Sequence, residues 1–124
     1  MKIPNEVIPY CYKFSKKAFE GKITKEIARL KIHEELGIKF SSARDYYLYY
    51  NYLITGEKPT WSLNVFTLEY FLEHILIDNK DNIEQKKKSL LHFKKLIEKF
   101  EGEKKGSRKS MRAIYEKFNQ LVLN

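Results

Sequence analysis

Apolar residues recur at helical spacing along this chain, and the densest such stretch is SLNVFTLEYFLEHILI, residues 62–77. Its apolar side chains point in nearly every direction of a helical wheel, and a helix that is apolar all round is a buried one. We therefore predict a central helix over this stretch, capped by Ser62. Glu69, Glu73 and His74 form a narrow polar seam on it, which reaches either solvent or a cation of a neighbouring helix.

The same periodicity predicts five further helices and no strand. They run from about Pro9 to Glu20, from Lys25 to Leu36 after a Thr24 cap, over residues 43–54 after a cap at Ser41 or Ser42, from Asp81 onward with Asp81 as its cap, and from about Ser107 onward. Gly21, Gly37 and Gly56 end the first three. The predicted fold class is all-α, a single compact domain of about six helices over residues 1–124, packed around the buried central helix.

Each predicted helix has an apolar stripe that we assign to the core. Outside the central helix these positions are Tyr10, Cys11, Phe14, Ala18, Phe19, Ile27, Ala28, Leu30, Ile32, Leu36, Ala43, Tyr46, Tyr47, Tyr50, Leu53, Ile54, Ile83, Leu90, Phe93, Ile97, Phe100, Met111, Ile114, Tyr115, Phe118, Leu121 and Val122.

The third helix has a second apolar face, because Leu48, Tyr49 and Tyr52 fall opposite its core stripe. An exposed aromatic patch of this kind is typical of a protein-binding surface. These three residues are therefore a candidate partner interface, for a homodimer or for docking onto another protein.

Composition sets the cellular context. The chain has 124 residues, enough for one core, and 43% of them are hydrophobic. Cys11 is its only cysteine, which excludes an internal disulfide and a thiolate metal cluster and fits a reducing compartment. No apolar run approaches the length of a membrane span, and the N-terminus lacks the apolar core of a signal peptide. We expect a cytoplasmic protein with no membrane partner.

The net charge of +8 is concentrated in the last third of the chain. Residues 80–124 carry 13 Lys and Arg against 6 Asp and Glu, whereas residues 1–79 carry 11 against 10. Such an asymmetry indicates which surface meets an anionic partner.

Two groups of cations make up this basic region. Lys88, His92, Lys95 and Lys99 form one stripe on the fifth helix, about 16 Å long. Five more cations surround the start of the sixth helix, where free amides suit a phosphate: Lys104, Lys105, Arg108, Lys109 and Arg112. The eight Lys and Arg residues of these groups are candidate contacts to the backbone of double-stranded DNA. The alternative for the second group is a solvated loop.

The stretch from Lys25 to Ile54, a helix, a glycine turn and a second helix, also has the form of a helix-turn-helix motif. The charge of this segment argues against recognition of bases in a DNA groove, because Arg44 is the only cation of the second helix and is offset by Asp45. A plain helical hairpin is the favoured interpretation.

Catalytic and metal-binding motifs find little support in the sequence. His33, His74 and His92 are far apart, and none has the second histidine of HExxH zinc spacing. Cys11 lies on an apolar face without a basic neighbour at helical spacing, which indicates a structural thiol. We expect no catalytic residue, no metal and no cofactor.

Three segments, GKITKEIARLKIHEELG, SSARDYYLYYNYLITG and SLNVFTLEYFLEHI, resemble in order and spacing the region that precedes the catalytic module of many bacterial HNH-type endonucleases and of some restriction and defence proteins, including McrB-like subunits. The resemblance covers roughly two thirds of the chain, although EKPTW stands where that family tends to show a tyrosine and an arginine. It implies an accessory module that acts in DNA restriction or defence beside a nuclease or NTPase, and it transfers no catalytic residue.

These patterns together predict a non-catalytic DNA-binding or targeting module that holds the DNA backbone through its C-terminal basic surface. The alternative is a protein-interaction module that uses the exposed face of the tyrosine-rich helix.

Overall fold

The computed structural model describes residues 3–58, 63–103 and 108–123, with Arg108 and Leu123 described by their backbone alone. Within these residues it contains a short 3₁₀ turn at Asn5–Val7, six α-helices and no strand. The helices are α1 (Ile8–Phe19), α2 (Lys25–Leu36), α3 (Phe40–Thr55), α4 (Val65–Asp78), α5 (Ile83–Gly102) and α6 (Arg108–Leu123). The predicted all-α fold is confirmed. None of the described helices is long and apolar enough to cross a membrane.

Helix starts agree with the sequence only in part. Thr24 caps α2 as predicted, because its Oγ1 accepts a hydrogen bond from the Ile27 amide at 3.1 Å. The cap of α4 is Asn64, whose Oδ1 accepts from the Thr67 amide at 2.9 Å, and the predicted cap Ser62 lies outside the described residues.

Two more predicted caps are wrong. Asn82 caps α5 in place of Asp81, and α3 already begins at Phe40, which places both predicted serine caps inside the helix. Asn, Asp and Ser are nearly equivalent caps, so sequence alone does not choose among neighbouring candidates.

The core is shared between α3 and α4. Helix α3 packs against α1, α2 and α5, whereas α4 packs against α1, α5 and α6. Phe71 of α4 lies where these layers meet, because its ring centroid is 5.2 Å from that of Tyr12 and 5.6 Å from that of Tyr49. Edge-on and tilted ring contacts of this kind add to the stabilisation that burial provides.

Helix α4 is less enclosed than its sequence suggests. Leu68, Phe71 and Leu72 are fully buried, but Phe66 is 40% exposed and Ile77 is 54% exposed. Its neighbouring helices leave this side open, so the prediction of a helix buried all round is wrong there.

The polar seam of α4 contacts a neighbouring helix, because Glu69 forms an ion pair with Lys117 of α6. Elsewhere, six residues assigned to the core are exposed instead: Tyr10, Phe19, Ile27, Leu30, Ile83 and Leu121.

Candidate nucleic-acid interface

The tyrosine-rich helix α3 does not present the predicted aromatic patch. Tyr49 is fully buried, and Tyr52 is 4% exposed. The Tyr49 hydroxyl donates to the Leu68 carbonyl of α4 at 2.8 Å, and the Tyr52 hydroxyl donates to the His92 carbonyl of α5 at 2.6 Å. Burial raises the pKa of both phenols, that of Tyr52 to about 12. Both tyrosines therefore belong to helix packing.

Leu48, the third residue of the predicted interface, is half-buried beside a groove between α2 and α3. The prediction of a partner interface on this face is wrong for its two tyrosines, because α4 and α5 cover the side of α3 that the periodicity left open.

His92 joins the end of α3 to α5 instead of extending the lysine stripe. Its Nδ1 donates to the Leu53 carbonyl at 2.8 Å, and its ring lies against Gly56. Gly56 ends α3 with a φ of +80°, and a Cβ built there would lie only 2.7 Å from Nε2 of His92. Glycine is required here both by the left-handed backbone and by the close approach of the ring.

The remaining members of the α5 stripe do face solvent. Lys88, Lys95 and Lys99 are all exposed. Within the described part of the chain, Lys88 and Lys95 form no ion pair, hydrogen bond or ring contact. Lysines elsewhere are often paired, as Lys16 is with Asp78 and Lys117 with Glu69. The ammonium groups of Lys88 and Lys95 therefore remain available to an external anion.

The cations near α6 are less uniform than the sequence suggests. Arg112 is held by the carboxylate of Glu101 in α5, with Nε and Nη2 each 2.9 Å from a carboxylate oxygen. Lys109 is exposed, and Arg108 is the first residue of α6. Lys104 and Lys105 lie outside the described residues. The guanidinium of Arg112 is thus engaged within the fold, so Arg112 is a weaker candidate for a phosphate contact.

Histidine and cysteine side chains contribute to packing. His33 donates from Nδ1 to the Ile38 carbonyl at 2.7 Å, and His74 stacks on Tyr70 with ring centroids 3.9 Å apart. Burial raises the pKa of the Cys11 thiol to about 12, so it stays protonated at neutral pH. Across residues 3–58, 63–103 and 108–123, no three His, Cys, Asp or Glu side chains are placed to hold a metal ion.

Helices α2 and α3 follow one another across the turn at Gly37 and pack against each other. Lys25, the first residue of α2, has its ammonium 5.3 Å from the centroid of the Tyr47 ring, well inside α3. The guanidinium of Arg29, also in the first half of α2, lies 3.7 Å from the centroid of the Phe40 ring at the start of α3. Both contacts come from the first half of α2, and they show that this half packs along the first half of α3. The choice between a plain hairpin and a helix-turn-helix therefore still rests on the charge of α3, which favours the plain hairpin.

No protein-family model, curated protein or solved structure matches this chain. The resemblance to the accessory region of HNH-type endonucleases and McrB-like proteins therefore stays a prediction.

Proposed function

We propose that this protein is a non-catalytic DNA-binding module that holds the phosphate backbone of double-stranded DNA through the exposed lysines of α5. The observation that carries the proposal is the pair Lys88 and Lys95, both exposed and without a partner in the described residues. The sequence resemblance adds a setting, DNA restriction or defence, in which a nuclease or NTPase subunit supplies the chemistry.

The geometry of α5 suits contact with more than one phosphate. Seven residues separate Lys88 from Lys95, which is two helical turns and about 10.5 Å along the axis. Lys99 continues the same edge by one more turn. Glu84 and Glu98 are also exposed on this helix, and Glu84 lies one turn before Lys88 on the same edge, so these carboxylates offset part of the positive charge offered to DNA. Lysine contacts of this kind carry affinity without sequence preference.

Salt dependence of DNA binding tests the proposal directly. Each phosphate that a lysine neutralises releases counterions, and the slope of log affinity against log salt is about 0.9 per contact on duplex DNA. The double variant Lys88→Gln, Lys95→Gln should therefore lower that slope by about 1.8 when labelled duplex is titrated at several salt concentrations.

The matched control is Lys13→Gln, Lys39→Gln, which removes the same charge from two other exposed lysines without a described partner. This control should leave the slope nearly unchanged. Equal losses in the two double variants would show that only net charge matters, and no salt-dependent binding by the wild type would refute the function itself.

A further inference from the structure

The groove between α2 and α3 combines an apolar floor with a basic rim. It encloses about 160 Å³. Ile32 and Ala43 form part of its lining and are fully buried, whereas Tyr47 and Leu48 are half-buried there. A concave surface with an apolar floor and a few polar groups at its rim is typical of small-molecule sites.

Two of the three cations that line this groove are held by aromatic rings. The guanidinium of Arg29 lies over the Phe40 ring, and its Nε donates to the Phe40 carbonyl at 2.8 Å. These contacts fix Arg29 through one edge and one face, and its terminal nitrogens form no further hydrogen bond within the described residues. Lys25 lies over Tyr47 in the same way. Cation–π contacts orient these side chains without neutralising their charge.

Arg44 is the third cation of the lining, and it is exposed. It forms no hydrogen bond or close ion pair with any residue that the structure describes, although Asp45 is near enough to sense its charge. Burial raises the pKa of the Asp45 carboxyl, and the charges of Arg44 and Arg29 offset part of that rise. Glu26 is the one carboxylate among the lining residues, so positive charge is in excess.

We propose that this groove binds a small aromatic anion, a planar ring that carries a phosphate or carboxylate group. The ring lies on the apolar floor beside Tyr47. The anionic group accepts hydrogen bonds from Arg44 and Arg29, whose planar forks match the two oxygens of a carboxylate or phosphate. None of the α5 lysines takes part, so the proposal is independent of DNA binding by α5.

The test is titration of the isotope-labelled protein with four probes, followed by the backbone amide signals of residues 43–48. The probes are adenosine monophosphate, benzoate, adenosine and inorganic phosphate. We expect saturable shifts confined to the groove with adenosine monophosphate or benzoate, and the responding probe identifies which anionic group is preferred. Adenosine or phosphate alone should bind at least about tenfold more weakly, because each lacks half of the recognised chemistry.

Arg44→Gln should weaken binding of the better probe by about tenfold, because it removes the charged fork while keeping an unbranched polar side chain. Lys39→Gln is the matched control, since Lys39 is an exposed cation of the same hairpin outside the groove. Equal weakening by both changes would overturn the proposal, and so would shifts spread over the whole surface. Binding of inorganic phosphate as tight as that of the ring compounds would also overturn it.

Discussion

Replacing Gly56 by alanine should destabilise this protein through one identifiable contact. Gly56 has a φ of +80°, and a Cβ there would lie 2.7 Å from Nε2 and 2.9 Å from Cδ2 of His92. The ring cannot simply rotate away, because its Nδ1 donates to the Leu53 carbonyl at 2.8 Å. The added methyl group must therefore either displace the ring or distort the end of α3.

The magnitude follows from two costs. A left-handed backbone costs an L-residue about 1–2 kcal/mol. Loss of the hydrogen bond between His92 and Leu53 adds about 0.5–1.5 kcal/mol. Alanine also lowers the entropy of the unfolded chain, which offsets about 0.4–1 kcal/mol. We expect Gly56→Ala to lower the free energy of unfolding by about 2 kcal/mol.

Gly37→Ala is the matched control, because Gly37 also ends a helix with a φ of +74° but has nothing within 4 Å of a built Cβ. Gly37→Ala should lower the free energy of unfolding only by the cost of the left-handed backbone, about 1 kcal/mol or less. The measurement is urea unfolding followed by circular dichroism. The variants are compared with the same slope of unfolding free energy against urea concentration.

A double-mutant cycle isolates the contact between the added methyl group and the ring. In a His92→Ala background the ring is absent, so the cost of Gly56→Ala should fall to that of Gly37→Ala. Equal costs of the two glycine changes in the wild-type background would refute the reasoning, since they would show that the His92 ring yields freely.

Two further predictions concern a buried hydroxyl and a carboxylate. Tyr49→Phe removes the bond to the Leu68 carbonyl and should lower the free energy of unfolding by about 0.5–1.5 kcal/mol in urea titrations, whereas an exposed tyrosine would show no change. Burial tends to raise the pKa of Asp78, but hydrogen bonds from Lys16 and Tyr12 outweigh it and hold that pKa below its usual value. The stability that this lowered pKa provides is lost as pH falls from about 4. The difference in unfolding free energy between wild type and Lys16→Gln should therefore narrow as the pH falls, and a constant difference would contradict the assignment.

The helices themselves were largely predictable from the sequence. The bounds of α2 match the predicted stretch from Lys25 to Leu36, because Thr24 and Gly37 are unambiguous start and stop signals. Helix α5 lacked such clarity at its start, where Asp81 and Asn82 are adjacent and equally suited to the N-cap. Local chemistry therefore predicts a boundary only where competing candidates are absent.

Tertiary pairing was much harder to foresee. Arg112 stands among basic residues in the sequence, yet its guanidinium is held by Glu101 of another helix. His92 falls in the lysine stripe by periodicity, yet its ring lies against Gly56. Neither partner could be read from spacing within one helix, because both contacts depend on how α5 packs against its neighbours.

Lysine and tyrosine also differ in how well periodicity predicts their exposure. An unpaired ammonium group is almost never fully buried, because its desolvation has no compensation, so the exposure of Lys88 and Lys95 follows from their position on the outer face. A tyrosine can be buried on any face where one carbonyl accepts its hydroxyl, and Tyr49 and Tyr52 each found such a carbonyl on a neighbouring helix. For this reason the α5 lysines provide a firmer basis for a functional proposal than the aromatic face of α3 did.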